Sequence, residues 1–316
     1  MSASTKVLVT GAAGMVGREL LKELAASSAF ETVATDIAAP PNLPGGMHFQ
    51  KLDVTTTDPD KVIGEVRPDV IIHLASIVTP PKGTGRDFAY QVDVEGTRKI
   101  LEAAVAYNVR RLVVTSSGAA YGYHADNAVP LRESDPIRGN AEFAYSHHKR
   151  LVEEMLAEAR EVHPALEQVI FRVGTVLGAG TENQITALFH RPKLLAVRGY
   201  ESPFVFIWTR DLARILMRAA EEGPAGIYNV AGDGALGISD LARILNKSVR
   251  AIPAWALKTA LAIAKPLGLT QYGPEQVGFL QHRPVLDNSR LKSDFGYQPE
   301  LSSAEVFDLW RREAGL

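Results

Sequence analysis

The sequence predicts an α/β fold: a doubly wound parallel sheet carrying a smaller, mostly C-terminal lobe. Three observations predict it. From residue 6 to residue 172, short apolar runs alternate with stretches of helical periodicity, as expected of buried parallel strands covered by helices. A glycine-spaced loop, Thr10-Gly-Ala-Ala-Gly-Met-Val-Gly17, separates the first strand from the first helix. After Gly174 the alternation loosens and glycine, proline and aromatics become frequent. A length of 316 residues exceeds the usual single core, so a sheet domain plus a second lobe is expected.

Taken in order, 6–10 is a strand, because an apolar run stops at glycines. Residues 15–26 place Val16, Leu20, Leu21 and Leu24 at helical spacing. Strands follow at 31–35 and 48–52, a helix at 58–66 and a strand at 69–74. A long amphipathic helix is predicted over 88–107, a strand over 111–116, a helix over 142–162 and a strand over 166–172. Residues 1–174 form the cofactor-binding domain in this division, with returning segments near 206–231 that include a helix at 208–220. Residues 175–316 mainly form the substrate lobe.

Net charge is −2, with no charged tail, which argues against a nucleic-acid partner. There is no cysteine, so disulfides, thiolate catalysis and cysteine metal sites are excluded. The eight histidines show no metal spacing. The first residues run into a strand without a secretory apolar segment, and a cytoplasmic location is expected. The apolar stretch 251–269 is interrupted by Pro253, Lys258, Lys265 and Pro266, so no membrane span is predicted. A helix packed on the smaller lobe is expected there; a lid over an apolar ligand or a surface-associating helix are the alternatives.

The glycine loop has the context of a dinucleotide site, with a strand before it and a helix after it. Gly11 suits a tight turn, Gly14 lets backbone approach a pyrophosphate, and Gly17 permits close helix–sheet packing. Ala13, Met15 and Val16 complete the loop, and the helix N-terminus offers free amides to phosphate. Asp36 ends the second strand, 19 residues beyond Gly17. A carboxylate there suits a ribose diol and repels a 2′-phosphate, so NAD is the expected cofactor. Asp53 and Val54 end the third strand at the same edge, where Asp53 could bond an adenine amine.

Tyr145 and Lys149 stand four residues apart in the 142–162 helix, on one face. A cation beside a phenol favours the phenolate, which suits proton transfer at an alcohol or ketone carbon. Gly-x-Ser-x-Gly, the mark of a hydrolase elbow, is absent.

The glycine loop, His73-Leu-Ala-Ser76, Thr115-Ser-Ser-Gly-Ala-Ala-Tyr-Gly122 and Tyr145-x-x-x-Lys149 occur in that order. Together they resemble the extended short-chain dehydrogenase/reductase family, and within it the nucleotide-sugar epimerase/dehydratase branch. The likeness is dense to about Gly178. It returns in Phe206-Ile-Trp-Thr-Arg-Asp-Leu-Ala213, and weakly in His282-Arg-Pro-Val-Leu-Asp287 and Phe295-Gly-Tyr-Gln-Pro299. The resemblance implies a Rossmann domain with Tyr145 as acid/base and Lys149 on the nicotinamide ribose. Ser117 would orient the substrate oxygen, with Ser116 as the neighbouring candidate. Leu74, Ala75 and Ser76 would line the cofactor. Gly118, Thr175 and Arg210 are candidate substrate contacts beside Ser117, and Lys193, Arg198 and Arg283 are further candidates for a phosphate. His73 is expected to be structural, and His147 and His148 to be surface or interface residues. The resemblance also implies a homodimer through the 88–107 and 142–162 helices.

Two positions depart from the family pattern. Asp93 stands where the family often has asparagine, which puts a proton relay there in doubt. Thr175 replaces an asparagine that helps place a nucleotide-sugar pyrophosphate. Gly118 and Ala119 after Ser117 disfavour dehydration, because family dehydratases commonly carry an acid there. The first reading is NAD-dependent hydride transfer in a nucleotide-sugar epimerase-like enzyme. The alternatives are a dehydrogenase/reductase of a more apolar alcohol or ketone, suggested by Phe204, Phe206, Trp208 and Trp255, and a non-catalytic NAD-binding sensor or scaffold.

Overall fold

A computed structural model describes residues 4–78, 83–270 and 273–316. Residues 1–3, part of the stretch read as free of a leader, lie outside the described residues.

The first half alternates strand and helix as its periodicity predicts. β1 (Thr5–Thr10), α1 (Met15–Ala25), β2 (Phe30–Asp36), β3 (His48–Lys51), α2 (Asp58–Val66) and β4 (Val70–His73) follow in turn. Then come α3 (Arg86–Tyr90), a π-helical turn (Gln91–Glu95), α4 (Gly96–Ala106), β5 (Arg111–Ser117), α5 (Ala144–Val162) and β6 (Glu167–Val173). The helix predicted over 88–107 is therefore broken by a π turn. Such turns admit one extra residue, which re-aims side chains, and here the turn carries Asp93 inward, 2 % exposed.

The smaller lobe contains β7 (Thr175–Leu177), α6 (Gln184–His190) and β8 (Lys193–Val197). β9 (Phe206–Trp208) follows, and α7 (Thr209–Glu221) and β10 (Gly226–Val230) return to the sheet domain. α8 (Ile238–Ile244), β11 (Ser248–Ile252), α9 (Ala254–Ala264), α10 (Gln276–Phe279), α11 (Ser289–Ser293) and α12 (Ser303–Glu313) complete the chain.

Seven strands make one parallel sheet in the order β10-β6-β5-β4-β1-β2-β3. Alternate residues of β1 serve opposite faces, as a two-residue period requires. Val7 and Val9 pack with Leu20, Leu24, Ile215 and Leu216 of α1 and α7. Leu8 packs with Ile100 of α4 and Leu156 of α5. The two sets of helices thus lie on opposite faces, and the loops at the strands' C-terminal ends converge. Two short parallel pairs, β7 with β9 and β8 with β11, build the lobe. Phe204 and Phe206, candidates for an apolar ligand from sequence, lie in its core, stacked with centroids 5.5 Å apart.

Candidate active site

The glycine loop leaves β1 with Gly11 at φ +68, a left-handed conformation that glycine adopts without strain. A Cβ on Gly17 would sit 2.3 Å from the Gly11 carbonyl oxygen, so only glycine lets α1 start this close. Gly14 caps α1 without a side-chain bond, and the first turn carries no acidic residue. The leading amides and the positive end of the helix dipole are thereby left for an anion. Met15 sulfur accepts from the Thr181 hydroxyl at 3.0 Å, fastening the loop to the turn after β7. Val16 packs on the core beneath.

Asp36 stands at the lip of this loop. Its carboxylate accepts from Ala13 N at 2.9 Å and Ile37 N at 2.7 Å, and a carboxylate has room for further donors. Asp53 spends one oxygen on Thr55 N and Oγ1. The Val54 side chain, 6 % exposed, fills the space opposite Gly96. Leu74 N and Ala75 N donate to Thr10 Oγ1 at 3.2 and 3.4 Å, which holds the end of β4 against Gly11. The uncapped amides, the tight turns and the acid at the second strand's end together fit NAD.

Across the sheet edge, α5 delivers Tyr145 and Lys149. Lys149 is buried, 6 % exposed, with Nζ donating to Thr115 O at 3.0 Å. That ammonium lies 5.6 Å from the centre of the Tyr145 ring. Ser117 ends β5; its hydroxyl accepts from Ala119 N at 3.1 Å and reaches Val173 O at 3.5 Å. Ser116 points the other way. It donates to Glu153, which is bidentate to the buried Arg172. Of the two serines, only Ser117 keeps a hydroxyl outside that buried ion pair. Thr175 begins β7 with its amide on Val205 O, and Leu286 packs over Gly118.

Beneath this floor lies a buried polar layer, in which the Asp93–His148 contact is what sequence reasoning missed. Asp93 accepts from Ser76 Oγ at 2.9 Å and Ile77 N at 2.8 Å, and its other oxygen meets His148 Nδ1 at 3.3 Å. His148 is fully buried, which corrects the expected surface role: on α5 it takes the face turned to the π turn, with its ring edge-on to Tyr90. His147, one position back, is only partly buried. His73 bonds Thr10 and Thr97 through its two ring nitrogens. Burial first, and then the Lys149 charge, push the His73 pKa down to about 3, with Asp93 opposing.

Arg210 also needs correction. Its guanidinium pairs with Glu23 of α1 at 3.0 Å, on the sheet face opposite α5, so it does not stand with Tyr145. The wall beside the tyrosine is aromatic instead. Tyr123, Phe143 and Phe279 pack with centroids 5.4 to 6.3 Å apart. Burial, and then the neighbouring Tyr145, raise the Tyr123 pKa. Behind the wall, the Arg283 guanidinium sits 3.8 Å from the Phe204 centroid and 4.6 Å from that of Phe279. It donates to Ser202 O at 2.7 Å. Burial pushes its pKa down to about 9, and Nε lacks a partner. These wall residues come from three separate segments with no shared spacing, so no periodicity marks them.

A fold and site of this kind define an NAD-dependent short-chain dehydrogenase/reductase. The model of the NAD dependent epimerase/dehydratase family matches residues 7–231, and the chain belongs to that family. Similar curated proteins include UDP-glucose 4-epimerase of Mycolicibacterium smegmatis, 28% identical over 321 residues and 95% of each chain. Another is sterol-4-alpha-carboxylate 3-dehydrogenase, decarboxylating, of Schizosaccharomyces pombe, 30% identical over 187 residues, 58% of this chain and 53% of that one. Among solved structures, UDP-glucose 4-epimerase of Thermus thermophilus, in complex with NAD, superposes with TM-score 0.75 at 22% identity over 98% of each chain. At that identity the likeness is one of fold.

Proposed function

We propose that this enzyme interconverts a secondary alcohol and its ketone on a substrate with an apolar flank, using NAD. The observation that carries the apolar part is the wall of Tyr123, Phe143 and Phe279 beside Tyr145. Aromatic side chains offer a large apolar contact surface, and the cation nearest them, Arg283, lies behind the wall against Phe279. Arg210 is paired elsewhere, and Thr175 stands where the family's pyrophosphate-placing asparagine would be.

NAD, when bound, supplies the two-electron oxidation and its reversal. Tyr145 takes the hydroxyl proton in one direction and returns it in the other. Lys149, held by the Thr115 carbonyl, keeps its ammonium beside the Tyr145 ring. Ser117 donates to the reacting oxygen and fixes its direction. Gly11, Gly14 and Gly17 would hold the cofactor by bringing backbone to its pyrophosphate, and Asp36 would take its ribose diol.

A second reading, epimerisation of a nucleotide sugar, is favoured by Arg283. Its buried cation has no acidic partner among the described residues, so a substrate anion could supply one. We also propose a homodimer, which a monomer mass in light scattering at micromolar concentration would rule out.

The test is NADH absorbance with a panel of cyclic and long-chain secondary alcohols, beside an epimerisation assay with uridine diphosphate sugars. Turnover of the alcohols, lost by about 100-fold or more in Tyr145→Phe while NADH still binds, supports the proposal. Epimerisation of the sugars with no response to the alcohols overturns it in favour of the second reading. Full activity in Tyr145→Phe removes the assigned chemistry altogether.

A further inference from the structure

We propose that α9 and the turn after it dock this enzyme on an anionic lipid surface. One side of α9 is committed to the protein: Leu257 and Leu261 pack with Val197, Val277 and Leu280. The other side is apolar and bare. Trp255 is 73 % exposed and Ile263 59 %, and the turn adds Leu267 at 66 % and Leu269 at 76 %. A cluster of large apolar side chains this open marks an interaction surface, because water contact with each is unfavourable.

Charge decides what the surface meets. No aspartate or glutamate stands between Asp240 and Glu275, although the whole chain carries net charge −2. Arg250 and Lys258 in this stretch are exposed and have no acidic partner among the described residues. Lys258 lies one turn from both Trp255 and Ala262, and Lys265 extends the same flank, paired with Glu275 at 2.8 Å. Apolar side chains in the middle, tryptophan at one end and lysines along the flank are what a helix lying in a bilayer interface requires. An acidic protein partner would also meet the cations, but it would not need four large apolar side chains projecting past them. No described helix is long and apolar enough to cross a membrane, so the contact is a surface one.

The position has a consequence for the site. α9 packs on α10 through Leu257 and Val277, and Phe279 of α10 belongs to the aromatic wall. A bilayer against α9 would therefore lie behind the wall that faces the substrate. The docking inference stands on its own observations and does not depend on the substrate reading.

The test is co-sedimentation of the full chain with phosphatidylcholine vesicles, with and without phosphatidylserine. Binding to the phosphatidylserine vesicles is expected, with a blue shift of tryptophan emission that disappears in Trp255→Phe. Ile263→Glu combined with Leu267→Glu should lower binding about tenfold or more, and Lys258→Gln about fivefold. NADH affinity should stay unchanged in each variant, which shows that the fold is intact. A chain that stays in the supernatant with both vesicle types overturns the proposal. So does a dimer in light scattering that Ile263→Glu dissociates, because a second copy would then be what covers the face.

Discussion

Replacing Gly17 by alanine probes the cofactor loop where its geometry is tightest. In an open helix the change is favourable by about 1 kcal/mol. Here the new Cβ would fall 2.3 Å from Gly11 O, 2.7 Å from Ala12 Cα and 2.8 Å from Ala12 C. Comfortable carbon contacts lie near ~3.5 Å, so α1 and the loop must part by about 1 Å. All three neighbours are backbone atoms, and no rotamer change relieves them. Overpacking of this kind costs about 1–3 kcal/mol, leaving a net loss of roughly 0–2 kcal/mol once helix propensity is credited. Binding is more sensitive than folding. NAD needs the loop in its native shape, so restoring that shape repeats the cost and weakens NADH by roughly 5- to 150-fold. Gly14→Ala makes a single contact, at 3.2 Å, and should be milder. Gly45→Ala meets nothing within 4 Å and should change neither property. An NADH fluorescence titration and a thermal melt read the series. Equal NADH affinity in Gly17→Ala and Gly45→Ala would refute the reasoning.

Other consequences follow from the buried charges. Glu153→Gln leaves Arg172 charged and unpaired under the sheet, and should cost about 3–5 kcal/mol in a urea unfolding curve. Asp36→Asn removes the charge that repels a 2′-phosphate; the ratio of NAD to NADP affinity should fall, by isothermal titration, and an unchanged ratio would free Asp36 of that role. The folded-state pKa of His73 is depressed to about 3 against 6.5 in the unfolded chain. Below pH 6.5 the unfolded chain binds the extra proton, so stability falls with pH from there toward pH 3. The slope approaches about 1.4 kcal/mol per pH unit. The window from neutrality to about pH 5 lies above the ordinary carboxylate range; burial also lowers the pKa of His147 and His282, so the His73 contribution is read as the difference from His73→Gln. There, urea midpoints should fall in the natural chain and stay flatter in His73→Gln.

Much of the sheet domain is legible from sequence because its signals are local. A run such as Val7-Leu-Val9, short and stopped by glycines, reads as an inner strand buried on both faces, and helical spacing of Leu20, Leu21 and Leu24 fixes the buried side of α1. The glycine loop is equally local, since each glycine answers to a neighbour within a few residues, Gly17 to the Gly11 carbonyl among them. The 88–107 helix was only half legible. Its periodicity continues through the π turn, and the reason for the turn, a buried Asp93 serving Ser76 and Ile77, lies in another segment.

By itself, then, the sequence determined the order of strands and helices in the sheet domain, the cofactor loop, and the four-residue spacing of Tyr145 and Lys149. Those depend on short-range backbone geometry and on periods of two and 3.6 residues. Only the tertiary structure decided which polar groups are enclosed together and which are left outside. It buried His148 against Asp93, separated Ser116 from Ser117, and turned Arg210 to Glu23. It also set Arg283 between two aromatic rings and left Trp255 and Ile263 in the open. The physical reason is that burial and pairing depend on distant partners, 37 residues away for Ser116 with Glu153 and 187 for Arg210 with Glu23. No local pattern encodes that distance.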